Sequence, residues 1–144
     1  QFAVPGAVDR LRSLRDARED AVEAPIVLAA TDPAQPYGAA LPWPESSGRP
    51  ARAAGSLAVL ADGEVLAYIE RGGHSVVRFP AASDDHRWAA TLGDLVEQGR
   101  VRSLELRTID GAAASDAPPE VIAALEHAAF QRGYRGWTRR PRSR

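Results

Sequence analysis

The chain has 144 residues, 44% of them hydrophobic, and a formal net charge of −1; it contains no cysteine, no methionine and no lysine. That is enough chain and apolar content for one domain with a real core, which excludes wholesale disorder. Without cysteine, disulfides and thiolate metal sites are excluded too. No apolar run reaches the roughly 18–20 residues that span a bilayer, and no basic-then-apolar leader opens the chain, so no membrane contact is expected.

The near-neutral total hides an asymmetry. Residues 1–130 hold 12 arginines and all 19 acidic residues, whereas residues 131–144 hold six arginines and no acid. An acidic body with a basic tail is an interaction pattern, and equally the pattern of a solvated chain end. A chain that opens on Gln1 and lacks methionine reads as a fragment of a longer protein.

In chain order, residues 5–18 predict a helix with Pro5 in its first turn and Val4, Val8, Leu11 and Leu14 on one stripe. Glu19 to Ala24 reads as a polar linker, and Ile26 to Ala30 as a short buried strand after Pro25. Residues 32–54 carry Pro33, Pro36, Pro42, Pro44 and Pro50, a density that predicts an ordered turn and then an exposed loop, with Tyr37 and Trp43 as hydrophobic pegs. Residues 56–61 and 64–70 predict a central hairpin on Asp62-Gly63, and Gly72-Gly73 turns the chain into Ser75–Phe79, making a meander over 56–79. Ser83 is the expected N-cap of a helix over 84–98 that buries Trp88, Leu92, Leu95 and Val96 and stops at Gly99. Val101 to Ile109 alternates as a half-exposed strand turned by Asp110-Gly111. Pro118 opens a last helix to about Arg132, ended by Gly133, and Tyr134–Arg139 reads as a final strand. The fold class expected is α+β: a single domain over 1–144 with a curved, barrel-like, mostly antiparallel sheet and flanking helices over 84–139 and at 5–18.

The chemistry carried by these elements is sparse. No GxxxxGK and no lysine is present, so the segment has no phosphate-binding loop and needs no cofactor of its own. His74, His86 and His127 lack metal-ligand spacing, and no serine lies in a GxSxG context, so no catalytic and no metal-binding residue is assigned. Asp32, before Pro33, reads as the acceptor of an Asx-turn rather than a general base facing a flipped nucleotide. The arginines are the main chemical signal. Arg132, Arg135, Arg139, Arg140, Arg142 and Arg144 are interleaved with Tyr134 and Trp137, and Arg49 and Arg52 sit on the proline-rich loop. Guanidinium groups pair with phosphates and aromatic faces stack on exposed bases, so Arg49, Arg52, Arg132, Arg135, Trp137, Arg139, Arg140 and Arg142 form a candidate single-stranded DNA contact. If Tyr134–Arg139 is a strand, Arg135, Trp137 and Arg139 share one face. The cost of burying guanidiniums predicts that this face is exposed and that Tyr134, Gly136 and Thr138 face the core. The other reading is a solvated tail with Trp137 in the core.

Ala30-Thr31-Asp32-Pro33-Ala34-Gln35-Pro36-Tyr37-Gly38, Leu41-Pro42-Trp43-Pro44, Arg49-Pro50-x-Arg52 and the hairpin Gly55–Gly73 resemble a stretch in the C-terminal extension of Lhr-type (large helicase-related) bacterial DNA helicases. Gln1–Arg12 resembles the segment just before it in that family. The resemblance implies a parent that translocates on single-stranded DNA with ATP and Mg, acts in DNA repair in the bacterial cytoplasm, and places winged-helix modules beside this segment. It leaves three roles open: a non-catalytic module for DNA contact, a packing module on winged helices or in a homo-oligomer, and part of a base-excision unit. The third follows from the further resemblance of that extension to AlkZ-type DNA glycosylases, whose catalytic motif has no match here.

Overall fold

In the computed structural model of the chain, residues 5–16 and 23–142 are described. The predicted stripe position Val4, the end of the predicted first helix, most of the linker 19–24, and Arg144 lie outside the described residues, as does the Leu14 side chain. Helix α1 spans Ala7–Asp16, with Val8 and Leu11 exposed.

The centre of the molecule is the meander. Strands β1 (Ile26–Ala29), β2 (Leu57–Ala61), β3 (Glu64–Ile69) and β4 (Ser75–Arg78) pair antiparallel in sequence order. Asp62 and Gly63 turn β2 into β3 with φ of 52° and 84°, the left-handed pair that a two-residue hairpin of this twist demands. In the ladder Val59 faces Ala67 and Leu60 faces Val65, so Leu66 is an extra residue on β3. This bulge lets Leu66 and Ala67 both enter the same core.

After β4, a 3-10 turn at Pro80–Ala82 leads to α2 (Arg87–Glu97). The helix starts later than the sequence predicts. Ser83 caps nothing at its N-terminus; its N–H donates to the Pro80 carbonyl and closes the 3-10 turn instead. The predicted strand over Val101–Ile109 is two strands, β5 (Leu104–Leu106) and β6 (Thr108–Ile109), broken where the His74 carbonyl accepts both the Arg107 and Thr108 N–H groups. Asp110-Gly111 turns β6 into β7 (Ala112–Ala113). Helix α3 (Pro119–His127) ends earlier than predicted, because Ala129 takes a positive φ of 58°. Gly133, the expected stop, instead ends β8 (Gln131–Gly133), which pairs with β9 (Gly136–Arg139).

Two sheets result: six strands in the order β1-β2-β3-β4-β6-β7, with β4 and β6 parallel, and three antiparallel strands in the order β5-β9-β8. The architecture is α+β and mostly antiparallel. Among the described residues neither sheet closes on itself, so the barrel-like expectation is not carried by the strand pairing.

The six-stranded sheet is covered on both faces, which is why β2 and β3 are apolar apart from Glu64 beside the hairpin turn. One face sends Val59, Ile69 and Val76 into a core completed by Trp88, Leu92 and Val96 of α2, Val121 and Leu125 of α3, and Leu106 and Trp137 of the small sheet. The other sends Leu60, Val65, Tyr68 and Val77 under the proline-rich loop. There Trp43 stacks on Phe79 and Tyr37 and meets Tyr68 edge-on.

Candidate nucleic-acid interface

The small sheet decides which C-terminal cations are available. Leu104, Arg139 and then Leu106, Trp137, Arg132 are directly opposed across β5, β9 and β8, so they share one face. That face is the buried one. Trp137 is 2% exposed and its indole Nε1–H donates to the Ala114 carbonyl at 3.0 Å. Arg139 is 6% exposed; its guanidinium donates to a Glu97 carboxylate oxygen on α2 and to the Arg140 carbonyl. Gly93 lets α2 approach the end of α3 beside this pair, for a Cβ there would lie 3.1 Å from the Ala128 carbonyl oxygen.

The expected exposed Arg-Trp-Arg face is therefore corrected. Trp137 is a core residue with a satisfied N–H, not a free stacking surface, and Arg139 is a paired structural cation. The physical reason is Glu97, which balances the charge whose burial the sequence reading treated as unpaired. Tyr134, expected in the core, is fully exposed. Gly133 opposes Gly136, which leaves Tyr134 and Arg135 as the two residues of the hairpin turn.

Four of the predicted cations remain at the surface here. Arg132 lies at the rim, with its guanidinium 3.2 Å from the Ser115 carbonyl. Arg135, Arg140 and Arg142 are exposed and make no side-chain hydrogen bond among the described residues. Arg135 and His74 are near enough to Glu105 to act on it electrostatically. The Glu105 carboxyl is held below the ordinary range first by its hydrogen bond from Arg107 (3.0 Å), then by the charges of Arg107, His74 and Arg135.

The proline-rich loop divides its two cations. Arg49 is exposed and makes no side-chain hydrogen bond among the described residues. Arg52 is half-buried, and its guanidinium donates to the carbonyls of Gln35 (2.6 Å), Thr31 (3.1 Å) and Asp32 (3.1 Å). Those three acceptors make Arg52 a clasp on the turn rather than an open phosphate ligand. Asp32 closes an Asx-turn, its Oδ1 accepting from the Ala34 N–H at 2.8 Å, as the sequence predicts. The loop lies over the face of the six-stranded sheet opposite Trp137, so it does not join Arg49 to the C-terminal cations in one core.

An open cleft of about 540 Å³ borders this loop, lined among others by Ser46, Ser47, Ser83 and Glu120. The one cation among its described lining residues, Arg78, is held by Asp110 at 2.7–2.8 Å through three of its N–H groups, backbone included. Among the described residues no group of three or more His, Cys, Asp or Glu is placed to hold a metal ion.

No protein-family model matches the chain. The chain is 50% identical over 130 residues to the Lhr helicase/probable uracil glycosylase of Mycolicibacterium smegmatis, a match over 85% of this chain and 8% of that protein. The chain is homologous to a segment of the Lhr-type helicases. A second relative, the Lhr helicase/uracil glycosylase of Escherichia coli, is 39% identical over 80 residues, 54% of this chain and 5% of that protein. The chain thus spans less than a tenth of the length of the curated relatives it matches. Both matches agree with the C-terminal Lhr segment expected from the residues of the proline-rich stretch.

Within this Lhr segment, two side chains that sequence reasoning passed over organise the candidate surfaces. Gln35 is 1% exposed; its amide donates to the Ala30 and Tyr37 carbonyls and accepts from the Tyr37 N–H, so it is the inner frame of the turn that Arg52 clasps from outside. A glutamine between two prolines, followed by an aromatic, is the signal that could have found it. Glu97 is the other, and no local pattern links it to a partner 42 positions away.

Proposed function

We propose that this segment is a non-catalytic DNA-contact module of an Lhr-type helicase, and that it holds single-stranded DNA through Arg132, Arg135, Arg140 and Arg142 with Arg49 as an outlying contact. The observation that carries this is the sorting of the C-terminal arginines. The one that is buried is neutralised by an acid, while the other described ones stand in solvent, and two of them, Arg132 and Arg135, flank the exposed Tyr134 in the chain. Phosphate contact releases counterions, so affinity built on such groups falls steeply with salt. ATP and Mg would bind elsewhere in the parent, where a phosphate-binding lysine must be found, and the parent's repair role in the bacterial cytoplasm belongs to the same proposal.

The test is anisotropy of a labelled oligo-dT in the intact protein across a salt series. Replacing Arg135, Arg140 and Arg142 with Ala should weaken binding and flatten the log–log salt slope by about two units, at ~0.7 per phosphate contact. Wild-type affinity and slope in that variant would remove the DNA role.

A second role is favoured by one observation: Val8 and Leu11 of α1 are exposed, at 53% and 67%, and Ile26 on the edge strand β1 is exposed as well. These apolar groups suit packing on winged-helix modules of the same parent or on a second copy. Such packing would be insensitive to salt. The relatives' names also carry uracil glycosylase, and a base-excision role for this segment would need Asp32, whose replacement by Asn would then abolish uracil release while leaving the fold intact.

A further inference from the structure

Tyr134 is the one large aromatic of the described residues that touches nothing, and its position is fixed rather than loose. It sits at the first of two turn residues on a hairpin whose second strand, β9, is buried and runs through the middle of the small sheet. Neither Tyr134 nor Arg135 adopts a positive φ; Gly136, with φ of 135°, takes up the bend. Gly136 also lies so close to the Leu106 carbonyl that a Cβ would be 2.0 Å from that oxygen, which seats the tip directly on β5. Trp137, hydrogen-bonded to Ala114, anchors the base of the same hairpin. β8 is exposed along its whole length, so Tyr134 stands at the solvent-facing edge of the small sheet.

Turns of two residues favour small polar side chains. Here the position holds a phenol instead, framed by Arg132 on one side and Arg135 on the other, in a run 131–142 that contains five arginines and no acid. An aromatic ring stacks on any unpaired base, and flanking guanidiniums meet the phosphates on either side of it. A cationic surface of this kind selects against a basic or purely apolar protein partner.

We infer that Tyr134 is a stacking platform for one unpaired base of single-stranded DNA, with Arg135 on the adjoining phosphate. This inference rests on the DNA-contact proposal and assigns to Tyr134 the stacking role that the sequence suggested for Trp137.

The experiment measures oligo-dT binding by the intact protein with Tyr134→Ala, Tyr134→Phe, Tyr134→Trp and Arg135→Ala, at several salt concentrations. Tyr134→Ala should weaken binding about tenfold with an unchanged salt slope, because stacking releases no counterion. Tyr134→Phe and Tyr134→Trp should stay within about twofold of wild type, and Arg135→Ala should flatten the slope by ~0.7. An oligonucleotide of abasic sites should erase the difference between wild type and Tyr134→Ala. Since the ring touches nothing, all Tyr134 variants should melt with the wild type. If Tyr134→Ala binds as wild type while the triple arginine variant does not, stacking is overturned and the DNA-contact proposal stands. If both bind as wild type, both fall. Equal losses in Tyr134→Phe and Tyr134→Ala would assign the hydroxyl, not the ring, and also overturn stacking. Loss of self-association in Tyr134→Ala with unchanged DNA binding would make the tip a protein contact instead.

Discussion

A buried guanidinium is stable only with its charge balanced and its donors occupied. Arg139 meets the first condition through Glu97 and part of the second through the Arg140 carbonyl, while its Nε–H finds no acceptor. Removing Glu97 would strand the cation in a site that is only 6% exposed. Glu97→Ala should therefore lower stability by about 2 kcal/mol or more, and Glu97→Gln, which keeps an acceptor, by roughly half as much, read as shifts in the urea midpoint. Sequence alternation placed Arg135, Trp137 and Arg139 on one strand face correctly for Trp137 and Arg139, but gave that face the wrong side. The choice depended on whether a counter-charge existed, and Glu97 lies on another element. Tyr134 and Arg135 escaped the alternation because they are turn residues and belong to no strand face.

At the level of elements, the features set by backbone chemistry were legible and those set by neighbours were not. Asp62-Gly63 needed only its own φ preferences to make a hairpin, and Asp32 only its own carboxylate to make an Asx-turn. The start of α2 was misplaced because Pro80 draws Ser83 into a 3-10 turn and leaves capping to Asp85. That carboxylate accepts from the Arg87 backbone N–H at 3.0 Å and from the Arg87 guanidinium at 2.6–3.0 Å. The guanidinium hydrogen bonds hold the Asp85 carboxyl below the ordinary Asp range, the backbone bond adds to this, and partial burial opposes it. A depressed folded-state pKa stabilises above the unfolded value, about pH 4, and the contribution is lost as pH falls through the folded value. Asp85→Asn should thus cost ~1 kcal/mol at pH 7, in the range of a lost helix cap, and the difference from wild type should shrink below about pH 4 in thermal melts taken across pH.

Across the whole molecule, the six-stranded sheet separates two apolar layers, and only one of them is covered by helices. The other is closed by a loop without regular structure, held by Gln35 and Arg52 at one end and by the Trp43 ring on Phe79, Tyr37 and Tyr68 at its centre. Gly48 continues the lid against Val77, where a Cβ would lie 2.3 Å from a Val77 methyl. Trp43→Ala should uncover this layer, cost ~2–3 kcal/mol and raise binding of a dye for exposed apolar surface, while the helical signal of the opposite layer survives near the midpoint. The proline count and the two aromatic pegs made this lid legible in outline. What the sequence could not supply was the order of the small sheet, since β5 and β9 are joined by a span that itself contributes β6, β7, α3 and β8.

That order gives the exposed hairpin tip a vulnerability. β9, the latest strand in sequence, is the axis to which both β5 and β8 are bonded. A trypsin-like protease reads solvent-exposed arginines on projecting turns, and Arg135 is one, immediately before Gly136. A single cut there would not trim a loop. It would detach the axis strand from its covalent neighbour, so that Trp137 and Arg139 would stay in place by non-covalent contact alone and the small sheet would rest on its packing rather than on chain connectivity.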